Sequence, residues 1–373
     1  FKQKTAYEIM PSLVGSEMCI RDRNTAAVIC GSDLHVWRGD DDVPPPNKYI
    51  MGHEFTGVVH SMGKKVSKDS YGRSLKEGDR FVFTFFTPCL RCYQCIRGER
   101  HACPNRTRRS MVGVEKYPYC DGGMAEYYYL PNGHYVFKAP DDLPDIALPS
   151  VNCALSQVIF GLKRANFNFG DSIVIQGAGG LGIFATAVAA NSGASQVIDI
   201  DSQKSRLDLA LKCGATSVIS FSDYPNQIDR VEKVKELTSR QGADMVVEVA
   251  GVPAATYEGL DMVRINGTYL DIGNISGGSL NLPSNKIITN QTKWIGVMHY
   301  DPWVIEASLQ FLSRTKDKFP LIDILSDEFP LEKINDAFDN DDFIKSMGFM
   351  EIMEPNQVLD QVVVFVIEFL IPS

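Results

Sequence analysis

Two architectures share this chain: a small all-β domain with long loops, and a doubly wound α/β domain built on a parallel sheet. Three observations predict them. Residues 24–154 are rich in Gly, Pro and aromatics and hold only short β-like runs. From about Leu155 continuous apolar strands alternate with helical segments, the pattern of a parallel sheet covered on both faces. Between the first such strand and its helix lies a glycine-rich turn, Gly177-Ala178-Gly179-Gly180-Leu181-Gly182.

In the first part, Phe55-Thr56-Gly57-Val58-Val59 and Arg80-Phe81-Val82-Phe83 read as strands. Ser172-Ile173-Val174-Ile175-Gln176 is a strand of the buried parallel type, followed by the glycine turn and an apolar helix from Leu181 to Asn191. A second strand, Gln196 to Asp201, ends in acid. A helix over Arg206 to Cys213 follows, with Gly214 placed to end it. Further strands are expected at 245–249, 268–272 and 294–297. Asp301-Pro302 supplies an N-cap and a first-turn proline for a helix to about Ser313, expected to rejoin the first domain. The expected division is therefore 24–154 with 299–373, and 155–298. Two domains are the natural prior for 373 residues.

Composition narrows the partners. Apolar residues make 44% and charged residues 22%, ordinary for a soluble globular enzyme. A net charge of -9 argues against nucleic acid or an anionic membrane surface. The longest apolar run, Val362 to Ile367, falls far short of the ~18–20 residues of a membrane span. Nine cysteines without a secretory signal suggest unpaired thiols and a cytoplasmic setting. Locally, Arg91, Arg97, Arg100, Arg106, Arg108 and Arg109 crowd one lobe, as a solvated loop surface or a subunit contact.

That lobe holds Cys89, Cys92, Cys95 and Cys103, spaced Cys-x2-Cys-x2-Cys-x7-Cys. Four thiolates this close suit one tetrahedral metal in a closed, structural site. An iron–sulfur cluster would want a three-residue gap before the fourth cysteine, and disulfides are the other alternative. The glycine turn gains weight from context: it follows a strand, opens a helix, and has Asp201 nineteen residues past its last glycine. These are the contexts of a dinucleotide site, with Asp201 accepting from ribose hydroxyls. Cys30, His53 and Cys153 together offer the ligands of a three-ligand zinc site with a fourth position open. Each alone would more often be a core residue.

With these residues in view, the chain resembles the zinc-containing alcohol dehydrogenases of the medium-chain dehydrogenase/reductase superfamily, the known users of that ligand set. The resemblance rests on Cys30-Gly31-Ser32-Asp33-Leu34-His35, Gly52-His53-Glu54, Gly78-Asp79-Arg80, the four-cysteine lobe, Ala125-Glu126-Tyr127, Cys153, Gly177–Gly182 and Arg206–Ala215. It implies a GroES-like β domain with catalytic and structural zinc sites and an inserted Rossmann domain. It implies two zinc ions per chain, NAD rather than NADP, and a homodimer or homotetramer. By position, Cys30, His53 and Cys153 would hold the catalytic zinc, with Glu54 beside it. Asp33 would orient His53. Ser32 would take the alcohol proton and His35 pass it on. Gly177, Gly179, Gly180, Leu181, Gly182, Asp201 and Arg206 would hold the cofactor. The implied reaction transfers a hydride between a zinc-bound alcohol and nicotinamide. A polyol or threonine-type dehydrogenase on the same scaffold is the nearest alternative. A non-catalytic zinc- and nucleotide-binding relative is the alternative of another class, disfavoured by the intact Ser32–His35 relay.

Three stretches depart from the family pattern. Gln157 stands where relatives usually carry threonine near the nicotinamide. The C-terminus differs from about Phe349. Residues 1–23 do not match the family's opening strands, and Pro11 to Arg23 resembles translated sequencing-adapter sequence. Residues 1–23 are therefore expected to be non-native, leaving a β domain with an unpaired edge; a divergent N-terminus is the alternative.

Overall fold

Every residue of Ser172–Gln176 is buried, and so is nearly all of Gln196–Asp201 and Ala243–Glu248. Such strands find burial on both faces only inside a layered sheet. The computed structural model describes residues 20–38, 49–108, 110, 112–114, 116, 119, 121–273, 279–282, 284–325, 327–339 and 363–366. Its strands in chain order are β1 (Ile20–Ile29), β2 (Glu54–Met62), β3 (Arg80–Phe83), β4 (Phe86–Thr87), β5 (Thr107–Arg108), β6 (Tyr127–Leu130), β7 (Val136–Lys138), β8 (Ser172–Gln176), β9 (Gln196–Asp201), β10 (Ser217–Ser220), β11 (Ala243–Glu248), β12 (Val263–Asp271), β13 (Lys293–Gly296), β14 (Phe329–Pro330) and β15 (Val363–Val366).

The described residues form two units. One takes in the chain up to Ser156, then Asp301–Arg314 and the part from Leu325; the other holds Gln157–Tyr300 and Thr315–Ile324. The helix Trp303–Thr315 thus falls with the β unit up to Arg314. Ser308 and Ser156 hydroxyls meet at 2.9 Å, and Glu306 pairs with Arg73 at 3.0 Å. Thr315–Ile324 groups instead with the second unit, a correction to the expected 299–373 boundary.

In the first unit the sheet runs β14-β15-β1-β2-β3-β7, with β6 also on β1. One edge of β1 pairs antiparallel with β2. Its other edge is shared, with β6 opposite Ile20–Arg23 and β15 parallel to Ala27–Ile29. Asn24 holds the junction: its backbone N–H donates to Glu126 O at 2.9 Å, and its buried amide donates to Gly123 O at 3.0 Å and Ala125 O at 2.7 Å. Residues 20–23, the end of the stretch expected to be non-native, are paired through their backbone on both sides, so this part of β1 is not the unpaired edge that was expected. Residues 1–19 lie outside the described residues. So does the chain beyond Phe349, apart from β15, which comes from the apolar Val362–Ile367 run and was not anticipated as a strand.

In the second unit the order is β10-β9-β8-β11-β12-β13, and every pair is parallel. The strand order reverses between β8 and β11, the switch point where such sheets take ligands. Val174, Ile198, Ile219, Val246, Leu260 and Tyr269 lie in one apolar cluster beneath it. Full burial of each aliphatic is worth roughly 1.5–3 kcal/mol, so the central strands dominate this unit's stability. Expected elements sit within a few residues of those observed. The strand β10 and the helices Gln227–Leu237 and Pro253–Met262 were not anticipated. Among the described residues no single helix is long and apolar enough to cross a membrane.

Candidate active site

The first constellation lies within the β unit. β1 ends at Ile29, and Cys30 follows at once, before the helix Gly31–Arg38. His53 directly precedes Glu54, the first residue of β2. Cys153 ends the turn Pro149–Asn152, just ahead of the helix Ala154–Arg164. Three breaks in regular structure thus deliver Cys30, His53, Glu54 and Cys153, whose ligating atoms all lie within 4.8 Å of one another and are buried.

Asp33 ties two of them together. Its Oδ2 accepts the Cys30 backbone N–H at 3.0 Å, and its Oδ1 lies 3.2 Å from His53 Nδ1. With the Nδ1 proton given to Asp33, the Nε2 lone pair is left for a metal. Ser32 Oγ stands 3.5 Å from that Nε2. His35 lies three residues further along the same helix, on the same side as Ser32. Phe85 closes one side, its ring centroid 5.1 Å from that of His53.

Electrostatics make the group conspicuous. The neighbouring Cys153 holds Cys30 well below the usual thiol range against the opposing effect of burial, and His53 adds to it. Burial would lower His53, but Asp33 and Cys30 outweigh it and hold the imidazole well above its ordinary value. Burial, then the charge of Cys30, push Glu54 well up. Neither Glu54 oxygen has a hydrogen-bond partner among the described residues. Buried thiols, an imidazole and an orphaned carboxylate are costly together and fit one divalent cation, which stabilises their anionic forms.

The four-cysteine lobe is a second such group. Cys89, Cys92, Cys95 and Cys103 bring their sulfurs within 4.8 Å of one another, with Cys92 and Cys103 at 3.8 Å. All are free thiols, which removes the disulfide alternative. Leu90 takes a positive φ of 59°, letting the chain curl around the sulfurs, and Cys89 N–H points at Cys103 Sγ at 3.3 Å. The backbone N–H of Arg91 draws Cys89 down to about 6, while burial and the adjoining sulfurs push Cys95 up to about 12. Thiols spread so far apart by crowding fit a closed four-sulfur metal site. Asp301 anchors the lobe by accepting from His101 N–H at 3.0 Å.

The glycine turn lies in the second unit, at the carboxyl end of β8. Gly177 has φ +101°, and a Cβ there would sit 2.9 Å from Ala250 Cα. A Cβ on Gly182 would run into the Gly177 carbonyl oxygen. Side chains at either position are excluded, so the loop backbone stays bare. Gly179 caps the helix Gly180–Asn191, which places Gly180, Leu181 and Gly182 in the first turn, the positive end of the helix. Asp201 closes β9. Its Oδ2 accepts Ala178 N–H at 2.7 Å and its Oδ1 accepts Gln203 N–H at 2.8 Å, so the carboxylate is fixed beside the loop. Arg206 is buried with Nη1 3.7 Å from Asp201. Backbone amides at a helix end with a fixed carboxylate beyond suit a pyrophosphate and a ribose diol.

The structure thus gathers Cys30, Ser32, Asp33, His53, Glu54 and Cys153 in one unit, and the glycine turn, Asp201 and Arg206 in the other. Phe85 packs against the site, while Phe83 packs on Phe55, Phe81 and Tyr128 in the sheet. Trp37 stacks on Phe338 at 5.6 Å. Asp199 was missed: it is buried on β9, holds Thr186 Oγ1 at 2.7 Å, and burial pushes it up to about 8. Only its acidic identity inside an apolar strand could have marked it.

Comparison with known proteins agrees with this geometry. Residues 17–141 match the alcohol dehydrogenase GroES-like domain, and residues 180–314 the zinc-binding dehydrogenase domain. The chain is 31% identical over 314 residues to 5-exo-hydroxycamphor dehydrogenase of Pseudomonas putida, covering 83% of this chain and 85% of that protein. It is 33% identical over 291 residues to L-threonine 3-dehydrogenase of Bacillus licheniformis, covering 76% and 74%. An alcohol dehydrogenase from Thermotoga maritima superposes with a TM-score of 0.83 at 25% identity, over 95% of this chain and 93% of that one. Sequence and fold meet at one answer: the chain belongs to the zinc-containing alcohol dehydrogenase family of the medium-chain superfamily, and is a zinc-dependent oxidoreductase acting on CH–OH groups with a nicotinamide cofactor.

Proposed function

We propose that this enzyme oxidises a small or medium alcohol, polyol or related hydroxy compound with NAD, using Cys30, His53 and Cys153 to hold the zinc. The observation that carries this reading is the Ser32 hydroxyl, 3.5 Å from His53 Nε2 at the edge of a buried two-thiolate, one-imidazole set. A binding protein has no use for a proton acceptor there. When bound, zinc polarises the substrate oxygen and NAD takes up the hydride. Ser32 accepts the alcohol proton and hands it toward His35. Asp33 keeps His53 in the tautomer that leaves Nε2 unprotonated, and through Cys30 N–H keeps the thiolate in register. Glu54 adds negative charge beside the metal. The glycine turn binds the pyrophosphate of the cofactor and Asp201 the adenosine ribose.

Asp201 also bears on cofactor choice. A carboxylate about 4 Å from a 2′-phosphate costs roughly 4 kcal/mol at an effective dielectric of 20, about a thousandfold in favour of NAD. Arg206, beside Asp201, softens this. A cytoplasmic homodimer or homotetramer completes the proposal; the partly exposed edge strand β13 supports association. The test is NADH absorbance across a panel of alcohols and polyols with NAD and NADP. Turnover with NAD, weaker by two orders of magnitude or more with NADP, is expected. Equal efficiency with both cofactors would remove Asp201 from the ribose site.

A further inference from the structure

Three consecutive residues of β9 hold the glycine turn. Ile200 O accepts Gly177 N–H at 2.8 Å, and Asp201 Oδ2 accepts Ala178 N–H at 2.7 Å. Asp199 makes the third hold through a side chain. Its Oδ1 lies 2.7 Å from Thr186 Oγ1, and that hydroxyl lies 2.9 Å from the carbonyl oxygen of Gly182, the last glycine of the turn. Proton counting gives this chain its direction. The Thr186 hydroxyl has one proton and stands between two oxygens. The Gly182 carbonyl can only accept, so it takes that proton. The 2.7 Å contact then needs a proton from Asp199, which has one only as a neutral acid. Its Oδ2 is buried without a partner, costly for a carboxylate and far less so for an acid. Burial, then the charge of Asp201, push Asp199 up to about 8 against the Thr186 contact.

The surroundings leave Asp199 as the group that titrates. β8, β10 and the helix Gly180–Asn191 carry no acid or base. On the helix Lys204–Lys212, Arg206 lies beside Asp201, while Lys204 and Asp208 pair with each other at the surface. Cys213 caps that helix. Burial, then the charges of Asp199 and Asp323, push its thiol up to about 12 with Lys212 opposing, so it stays neutral.

We propose that Asp199 is a positioning residue for the cofactor: as a neutral acid it braces Gly182 through Thr186, and its ionisation weakens dinucleotide binding. This rests on the reading that the glycine turn holds the pyrophosphate. Loss of the proton ends the donation to Thr186, turns that hydroxyl toward the carboxylate and leaves Gly182 O without it. It also sets a second buried negative charge two residues from Asp201, beneath a site that takes an anionic pyrophosphate. The protonated form binds more tightly, so affinity is full below about pH 8 and falls as pH rises through it. Cofactor and proton each strengthen the binding of the other by the same factor.

The test is calorimetric binding of ADP-ribose to the zinc-loaded full chain. This probe carries the pyrophosphate without the nicotinamide and does not itself titrate between pH 6.5 and 9. In the parent, Kd should rise about fivefold or more from pH 6.5 to pH 9. In Asp199→Asn, whose amide keeps a donor for Thr186 and cannot ionise, the ratio of the two Kd values should fall below about twofold. Titrations at pH 8.5 in two buffers of different ionisation enthalpy count protons. The parent should take up about half a proton more per ADP-ribose than Asp199→Asn. Thr186→Val should weaken binding at pH 6.5 about fivefold, the usual worth of one hydrogen bond, and Thr186→Ser should restore most of it. A merely structural role would weaken binding equally at both pH values and leave the proton count unchanged; that result overturns the proposal. So does a parent whose Kd ignores pH, an outcome that needs no variant to fold and leaves the pyrophosphate reading standing. Failure of ADP-ribose to bind at either pH would remove that reading and this inference with it.

Discussion

Asp33 shows how much one side chain settles. Its two oxygens fix the Cys30 backbone and the His53 tautomer, and Ser32 next to it is left facing the unprotonated nitrogen. Ser32→Ala should lower kcat by roughly 10²–10⁴, the usual worth of a positioned proton acceptor, with NADH binding little changed. Steady-state kinetics with NADH titration check this; a loss under about twofold would remove Ser32 from the proton path. Asp199 gives a second test, on stability. Its folded-state value of about 8 lies above the ordinary carboxylate value. Below about pH 4 both folded and unfolded chains hold the proton. Between about pH 4 and 8 only the unfolded chain releases it, so stability falls as pH rises through that window. Four units correspond to at most about 5 kcal/mol. Asp199→Asn keeps an acceptor for Thr186, and should gain thermal stability relative to the parent at pH 8 but not at pH 4. An equal shift at both values would contradict this. At this scale the ligands were legible because Cys and His types are rare and spaced. Asp199 was not, because only packing in the folded sheet buries its carboxyl.

Two elements carry the β unit. The four-cysteine lobe has little apolar core of its own: Tyr93 and Ile96 point outward at 69% and 77% exposure. Its order must come from the sulfurs and their metal, since such metal binding is folding energy. Cys103→Ser should therefore lower Tm by roughly 6–12 °C, about 3 kcal/mol, and release one metal. A variant melting with the parent would contradict a structural site. The second element is β1. Its amides from Arg21 to Arg23 should exchange as slowly as those of Ala27–Ile29, because β2 and β6 flank them. Exchange at loop rates would contradict this pairing. The edge expected to be unpaired is paired at Ile20–Arg23 for a physical reason. A strand's ladder depends on backbone groups, which any non-proline sequence supplies, so unfamiliar side chains do not exclude pairing. The parallel strands were legible from their continuous apolar runs. β10 was not, being short and half-exposed at a sheet edge, where the apolar signal is weak.

At the scale of the molecule, both architectures and their order were readable, because glycine turn, buried strands and cysteine lobe each need their own setting. The return of the chain to the β unit was readable only in part. Trp303–Thr315 joins it through Ser308 and Glu306, while Thr315–Ile324 groups with the parallel-sheet unit, a division set by tertiary packing. The central claim is that two metal sites in this chain have separate tasks, one in catalysis and one in folding. Elemental analysis of purified protein, paired with the NADH assay, tests it most directly. The parent should hold two zinc ions per chain. His53→Ala should hold about one, keep a parent-like melting profile and lose turnover, while Cys103→Ser should lose stability with its metal. A parent with one zinc or none, or an active His53→Ala enzyme retaining both ions, would contradict the account.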